Sequence, residues 1–441
     1  MNARELALQV VRDVFPVPGS PAIERGAQAA FDFRARRSGC SERDRAFAAE
    51  LAYGAIKMRR CLDWYLEPFL AEAKQLPPVI REILRLAVYE LVFTRADEHA
   101  TVFEFVNLAK RYGHRGLANL VNAVLRSLLR AQPSPPVREL FDDADEYLGT
   151  RYSLPTWIVR QWRSVFGEQT ESICAAVDEP AQSAIAVNTL RRTPEEAQTE
   201  LLGQGVETRR SAIVGDVLLV ERGHTSESAG GGAWWPQSES SAMPVDVLGP
   251  QPGEAVLDAC SGRGNKTLQI GARIGDQGSL LCIERDARKV ATLSGRLEKA
   301  GITAAVVTGD ATTEILPQDR RFDRILIDAP CSGIGVVGRH PEARWKKQPT
   351  DGERLAATQR ALLEALARHV HAGGALVYAV CSTDPRETTQ VIDWFLAHEN
   401  FERGLVPAGY APFCTEAGDV LVPPGLAGRD GFYIARVDRR L

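Results

Sequence analysis

No Cys-X-X-Cys pair occurs in this sequence, so its eight cysteines lack the ligand spacing of an ordinary zinc site. They are Cys40, Cys61, Cys174, Cys260, Cys282, Cys331, Cys381 and Cys414. Scattered through 441 residues, they do not make a disulfide scaffold, and a reducing cytoplasm is the expected location. No apolar run approaches the ~20 residues that a membrane-spanning helix needs. Met1 to Val10 mix Arg4, Glu5 and Leu6 and lack the basic-then-apolar order of a secretory leader. Internal repeats and long low-complexity tracts are absent too. These absences set aside metal-centred, secreted and membrane-embedded classes.

What is there is ordinary for a globular chain: 44% apolar and 25% charged residues, enough for sizeable cores. The length suggests two to four domains at roughly 100–200 residues each. The net charge of −4 is unevenly spread. Residues 1–140 hold 21 Lys and Arg against 16 Asp and Glu, whereas the remainder holds 32 against 41. A basic module joined to an acidic one hints at a polyanionic partner.

Residues 1–132 read as an all-α bundle. Apolar residues recur at helical spacing in Ala3–Phe15, after the candidate cap Ser41, and again beyond Pro77–Pro78, with two further helices in Val102–Lys110 and Gly116–Arg130. Ala131-Gln-Pro-Ser-Pro-Pro136 is a linker by composition. Residues 145–232 read as a small α/β unit. Helical pattern surrounds Trp157 and Trp162, then a β-α-β-like run follows in Ala184–Val187, Thr193–Leu202 and Val217–Val220, and Gly230-Gly-Gly232 is expected to be a flexible join. From 233 to 441, short apolar runs alternate with helices: Ala255–Leu257, Leu280–Ile283, Ala304–Val307, Ile325–Ile327 and Ala375–Tyr378. That alternation predicts a parallel, doubly wound sheet, which binds ligands at the carboxyl ends of its strands.

The first of these strands runs into Asp258-Ala259-Cys260-Ser261-Gly262-Arg263-Gly264 and then Lys266 and Thr267. The two glycines allow a tight turn close to a ligand. An acid inside the loop repels a pyrophosphate but accepts bonds from an ammonium, which favours S-adenosylmethionine over a dinucleotide. Glu284 ends the second strand, 20 residues beyond Gly264, where it can accept ribose hydroxyls. Asp310 follows the third strand and is a candidate for the adenine amino group. Three acids at successive strand ends are hard to obtain by accident.

Two further strand ends carry cysteines: Asp328-Ala-Pro-Cys331-Ser-Gly333 and Tyr378-Ala-Val-Cys381-Ser382. Either cysteine alone reads as a small buried hydrophobe. Together, opposite a cofactor loop, they fit one chemistry. Carbon 5 of cytosine is too poor a nucleophile to attack a sulfonium methyl. A thiolate added at carbon 6 makes carbon 5 nucleophilic, and thiolate is soft enough to leave again. Asp328, partly desolvated, can hold a proton at or near ring nitrogen 3. Exocyclic-nitrogen methylation uses an Asn/Asp-Pro-Pro-aromatic turn, which the Asp-Ala-Pro-Cys sequence does not provide.

On these motifs the sequence resembles the RNA cytosine-5 methyltransferases of the Sun/Fmu family. Gln237-Ser-Glu-Ser-Ser241, Arg339-His-Pro-Glu342, Asp430-Gly-Phe-Tyr433 and Val187-Asn188 extend the likeness. Ser41-Glu-Arg-Asp-Arg45, Leu51-Ala-Tyr-Gly54 and Asn119–Leu125 resemble the RNA-binding antitermination factor NusB. The resemblance implies an α/β fold: a C-terminal Rossmann-like class I methyltransferase domain, an N-terminal all-α NusB-like bundle and a small α/β linker domain. It implies Cys381 as nucleophile, Cys331 as the group that helps release the product, Asp328 at the base and Lys266 lining the site. For the cofactor, S-adenosyl-L-methionine, it implies Asp258 to Gly264, Glu284, Asp310 and Asp328. The implied partner is 16S rRNA, free or in early assembly, met by a monomer with no metal and no membrane.

Two departures stand out. Arg263 replaces a family proline, and Val380 replaces a threonine beside the nucleophile. Lys110, Arg111, His114, Arg115, Arg126 and Arg130, with Arg34, Arg36 and Arg37, are candidates to grip phosphates. The same chemistry on tRNA, or a non-catalytic ribosome-assembly role on a retained scaffold, are the competing readings. The NusB-like part argues against the first, and the intact Cys331, Cys381 and Asp328 against the second.

Overall fold

The computed structural model describes residues 1–17, 24–70 and 76–441, which form two compact units. The first comprises Met1–Ser164 and His340–Lys347; the second comprises Val165–Arg339 and Gln348–Leu441.

No strand occurs among the described residues of the first unit. Its principal helices are Ala3–Val14, Ala27–Ser38, Glu42–Lys57, Arg59–Leu66, Pro78–Phe93, Glu98–Tyr112 and Arg115–Ala131. Those parts of the expected bundle that fall on residues 18–23 and 71–75 lie outside the described residues. The helices start where side chains can take up free amide donors: Asn2, Ser41 and Asp97 each accept a backbone N–H of the first turn. Pro78 stands at the start of its helix, where its missing N–H costs nothing. Leu6, Leu51, Ile83, Phe105 and Leu125 are fully buried in one apolar core. Segment 340–347 is tied into this unit by side chains. Glu342 accepts the Ala27 N–H (3.1 Å), and the Trp345 indole donates to the Ile56 carbonyl (2.7 Å). Arg344, completely buried, donates to the Tyr152 and Ser153 carbonyls.

The second unit contains two sheets. The smaller has the order β2-β3-β1-β4, from β1 (Ala184–Val187), β2 (Glu207–Arg210), β3 (Val217–Arg222) and β4 (Trp234–Pro236). Neighbouring strands in it are all antiparallel. Both β1 and β2 oppose β3, which lies between them, so the chain crosses from β1 to β2 through a helix. The expected β-α-β-like unit therefore closes on β2 and not on Val217–Val220 of β3. The helix Pro194–Gly203 begins in a capping box between Thr193 and Glu196. The Gly230–Gly232 join is not loose. Asn188 donates to the Gly232 carbonyl (2.8 Å) and Arg191 to that of Gly231 (2.9 Å).

The larger sheet contains β5 (Ala255–Asp258), β6 (Ser279–Glu284), β7 (Ala305–Thr308), β8 (Phe322–Asp328), β9 (Val370–Val380), β10 (Phe401–Arg403), β11 (Val420–Val422) and β12 (Phe432–Arg439). Its order is β10-β12-β9-β8-β5-β6-β7, with β11 paired to β12. Strands β5 to β9 pair in parallel as expected, but β10, β11 and β12 add antiparallel pairs, so the sheet is mixed. Helices cover both faces through two apolar layers. The chain order reverses between β5 and β8. Loops after β5, β6, β8 and β9 therefore meet at one edge, the usual place for a ligand in such a sheet.

Candidate active site

At the end of β5 the chain must turn sharply into the helix Asn265–Ile274. Gly264 makes the turn in the left-handed region (φ 91°), where a side chain would be strained. The helix then directs Lys266 and Thr267 back over Asp258. Thr267 donates to one oxygen of the wholly buried Asp258 carboxyl (2.5 Å), and the other oxygen has no partner. Burial pushes Asp258 up to about 7, against the Thr267 bond that lowers it. An orphaned, buried carboxyl oxygen is a site prepared for a donor, and a cationic donor would ionise it.

Two cavities open here. One of about 480 Å³ is lined by Asp258, Ser261, Arg263, Lys266 and Asp328 among others. A neighbouring one of about 240 Å³ is lined by Ala259, Glu284, Asp310 and Pro330 among others. Cys260, Gly262, Lys289 and Asp328 line both. Glu284 accepts the Gly262 and Asp286 N–H groups (2.9 Å each), which fixes its carboxylate in the cavity wall. Asp310 is held below the ordinary carboxylate range by the Thr312 N–H and hydroxyl. Burial pushes the Cys260 thiol well above the usual thiol range, which leaves it a neutral lining group. An ammonium-accepting oxygen at one end and two fixed carboxylates at the other fit S-adenosylmethionine.

The cysteines come together. Strands β8 and β9 are parallel neighbours in register from Arg324 and Ala375 to Asp328 and Ala379. Three residues after Asp328 and two after Ala379 stand Cys331 and Cys381, whose sulfurs are 3.2 Å apart. Their mutual hydrogen bond holds the Cys331 thiol well above the usual range, and burial adds to it. Two thiols this close cannot both ionise readily. Beside them Asp328 pairs with Lys266 (2.7 Å), which also reaches the Ser241 hydroxyl (3.2 Å) and lies over the Phe432 ring (5.4 Å). The catalytic candidates Cys381, Cys331, Asp328 and Lys266 thus stand with Asp258 to Gly264, Glu284 and Asp310 at one sheet edge.

The remaining motifs support this edge from behind. Ser238 of the Gln237–Ser241 segment caps the helix Glu239–Leu248, and Ser240 donates to the Asp430 carbonyl (2.8 Å). Arg339 pairs with Asp430 (3.2 Å), joining two separately recognised motifs. Val380 is fully buried in the apolar core and does not line either cavity. Arg263 is exposed at the cavity rim. Sequence reasoning missed Glu387, which accepts bonds from Ser332 and Ser382, the residue after each cysteine. The repeated Cys-Ser pair was the available signal. Of the proposed phosphate-gripping residues, Arg34 is half-buried and pairs with the buried Asp13 (2.6 and 2.8 Å). The other proposed phosphate-gripping residues are exposed.

Comparison with known proteins finds three family matches along the chain. Residues 1–130 match the NusB family, 154–226 the RsmF/B-like ferredoxin-like domain, and 245–438 the family described as 16S rRNA methyltransferase RsmB/F. The ribosomal RNA small subunit methyltransferase B of Thermus thermophilus is 34% identical, covering 95% of each chain. That of Vibrio cholerae is 31% identical, covering 90% of each. The crystal structure of a protein named PH0851 superposes over 100% of this chain and 99% of its own, with a TM-score of 0.82 at 24% identity, a likeness of fold.

Proposed function

This chain belongs to the ribosomal RNA small subunit methyltransferase B family, and on that premise we propose that it methylates carbon 5 of a cytosine in 16S rRNA through a covalent bond from Cys381 to carbon 6. The observation that carries the proposal is the pair of sulfurs 3.2 Å apart at adjacent strand ends, beside the Asp328–Lys266 ion pair. Exocyclic-nitrogen or ribose methylation has no use for two thiols.

The three-part division read from the sequence assigns the roles: 1–132 holds RNA, 145–232 links, and 233–441 carries the chemistry. Asp258 to Gly264, Glu284 and Asp310 hold S-adenosylmethionine, which supplies the electrophilic methyl. A cytosine in structured RNA must leave its stack to reach partly buried thiols, and phosphate contacts position the strand while it does so. The Cys381 thiolate adds to carbon 6, and the ring electrons move to carbon 5. Asp328, oriented by Lys266, is placed to hydrogen-bond the base edge and stabilise the added ring. After carbon 5 is methylated, its proton passes to solvent water, the C5–C6 double bond re-forms as the C6–S bond breaks, and Cys381 leaves as thiolate. Cys331, beside it, assists that release.

The test is incubation with methyl-labelled S-adenosylmethionine and small-subunit rRNA, followed by digestion to nucleosides. Label in 5-methylcytidine is the expected result. Label in any other nucleoside, or none, refutes the proposal.

A further inference from the structure

The serines that follow the two cysteines point inward to a single carboxylate. Glu387, with no exposed surface, lies in the turn between β9 and the helix Thr389–His398. Its Oε1 accepts the Ser332 N–H (2.8 Å) and the Gln359 amide (3.1 Å). Its Oε2 accepts the Ser382 hydroxyl (2.6 Å) and the Ser332 hydroxyl. Gln359 donates as well to the Pro330 carbonyl (3.0 Å), so the residues on both sides of Cys331 are fixed. The Glu387 carbonyl accepts the Tyr378 hydroxyl (2.6 Å), which ties its backbone to the strand leading to Cys381.

A buried carboxylate is costly unless donors surround it, and here four do. Two of the four belong to Ser332, so the negative charge sits against the Cys331–Ser332 peptide. The other charged and titratable groups around the thiols are Asp328 with Lys266, Tyr378 of β9, and Asp384 paired with Arg386. None of these is bonded to both cysteine turns.

We propose that Glu387 is a positioning residue: it clamps the two cysteine turns together and, by standing against Cys331, reserves the thiolate for Cys381. This rests on the reading of Cys381 as nucleophile and adds the group that selects it from the pair. Burial pushes the Glu387 carboxyl up, while the bonds from Ser332, Ser382 and Gln359 pull it back toward the charged form. The charge of Glu387 is also among the influences that raise Cys331.

The test uses the full-length protein without RNA or cofactor, so it reads the thiol pair even if cytosine is not the substrate. Iodoacetamide labelling at pH 6 to 9, quantified by mass spectrometry at each cysteine, gives two rate profiles. In the wild type Cys381 is expected to react well ahead of Cys331. Glu387→Gln keeps the shape but removes the charge. It is expected to cut that preference by about tenfold, corresponding to a midpoint shift of about one pH unit. On rRNA it is expected to lower kcat with KM for RNA unchanged. An unchanged preference and pH profile in a folded Glu387→Gln protein overturns the proposal. If that variant does not fold, wild-type protein and Ser332→Ala, which keeps the carboxylate, decide it: Cys381 reacting first in both supports the proposal, and Cys331 reacting first in either overturns it.

Discussion

At the scale of single residues, the proposed mechanism turns on which of two neighbouring thiols attacks. Cys381→Ala is expected to abolish turnover without trapping RNA, and measurable methyl transfer by this variant would remove Cys381 from the nucleophile's role. Asp258 makes a second prediction. Its carboxyl titrates near 7 in the fold, against an ordinary value near 4 when unfolded. Between those values the folded protein holds a proton that the unfolded chain has lost, so cofactor-free stability falls as pH rises from about 4 through about 7. The slope from this group is on the order of 1 kcal/mol per pH unit. Denaturant midpoints should show that slope in the wild type and a flatter one in Asp258→Asn. The convergence of the cysteines and Asp328 was legible in the sequence because each sits in a short motif at a strand end. Lys266, in the first turn of the helix Asn265–Ile274, came only from the resemblance. Glu387 was not legible, because its partners Ser332 and Gln359 are far away in sequence and meet it only when β8 and β9 pair.

At the scale of elements, the loop carrying Cys331 is locked by close backbone approach to the segment that starts β12. Gly335 donates to the Cys381 carbonyl (3.1 Å) and accepts the Gly431 N–H (2.8 Å). A methyl group on Gly335 would meet the Gly431 carbonyl oxygen at 2.1 Å, so backbone must move. Gly335→Ala is therefore expected to cost about 1–3 kcal/mol, read from denaturant unfolding, and to slow methylation even where the protein is folded. The parallel strands β5 to β9 were readable as apolar runs between helices. The antiparallel additions were harder. Edge strand β2, Glu-Thr-Arg-Arg, has no buried side and thus no apolar alternation, and β4 is only three residues long. Strand β12 begins in a recognised motif, but its first four residues are all buried, which hides the period of two.

At the scale of the whole molecule, the uneven charge in the sequence separates a basic helical region from an acidic catalytic one. On the hairpin of helices Glu98–Tyr112 and Arg115–Ala131, Arg115, Arg126 and Arg130 are exposed. Replacing these three with alanine is expected to weaken rRNA binding. The salt dependence of affinity should fall by about one unit of slope for each phosphate no longer neutralised. An unchanged slope in filter binding would place the RNA elsewhere. The membrane-spanning and metal-site expectations concern absences. Among the described residues no helix is long and apolar enough to cross a membrane, and no cluster suited to a metal is found. The chemistry itself is tested most directly by the release step. Cys331→Ala, incubated with rRNA and S-adenosylmethionine, should accumulate a covalent complex visible as a shifted band on a denaturing gel. After protease and nuclease digestion, mass spectrometry should find a methylated cytidine joined to the peptide that contains Cys381. A nucleotide on any other residue, or trapping by Cys381→Ala instead, would contradict the assignment.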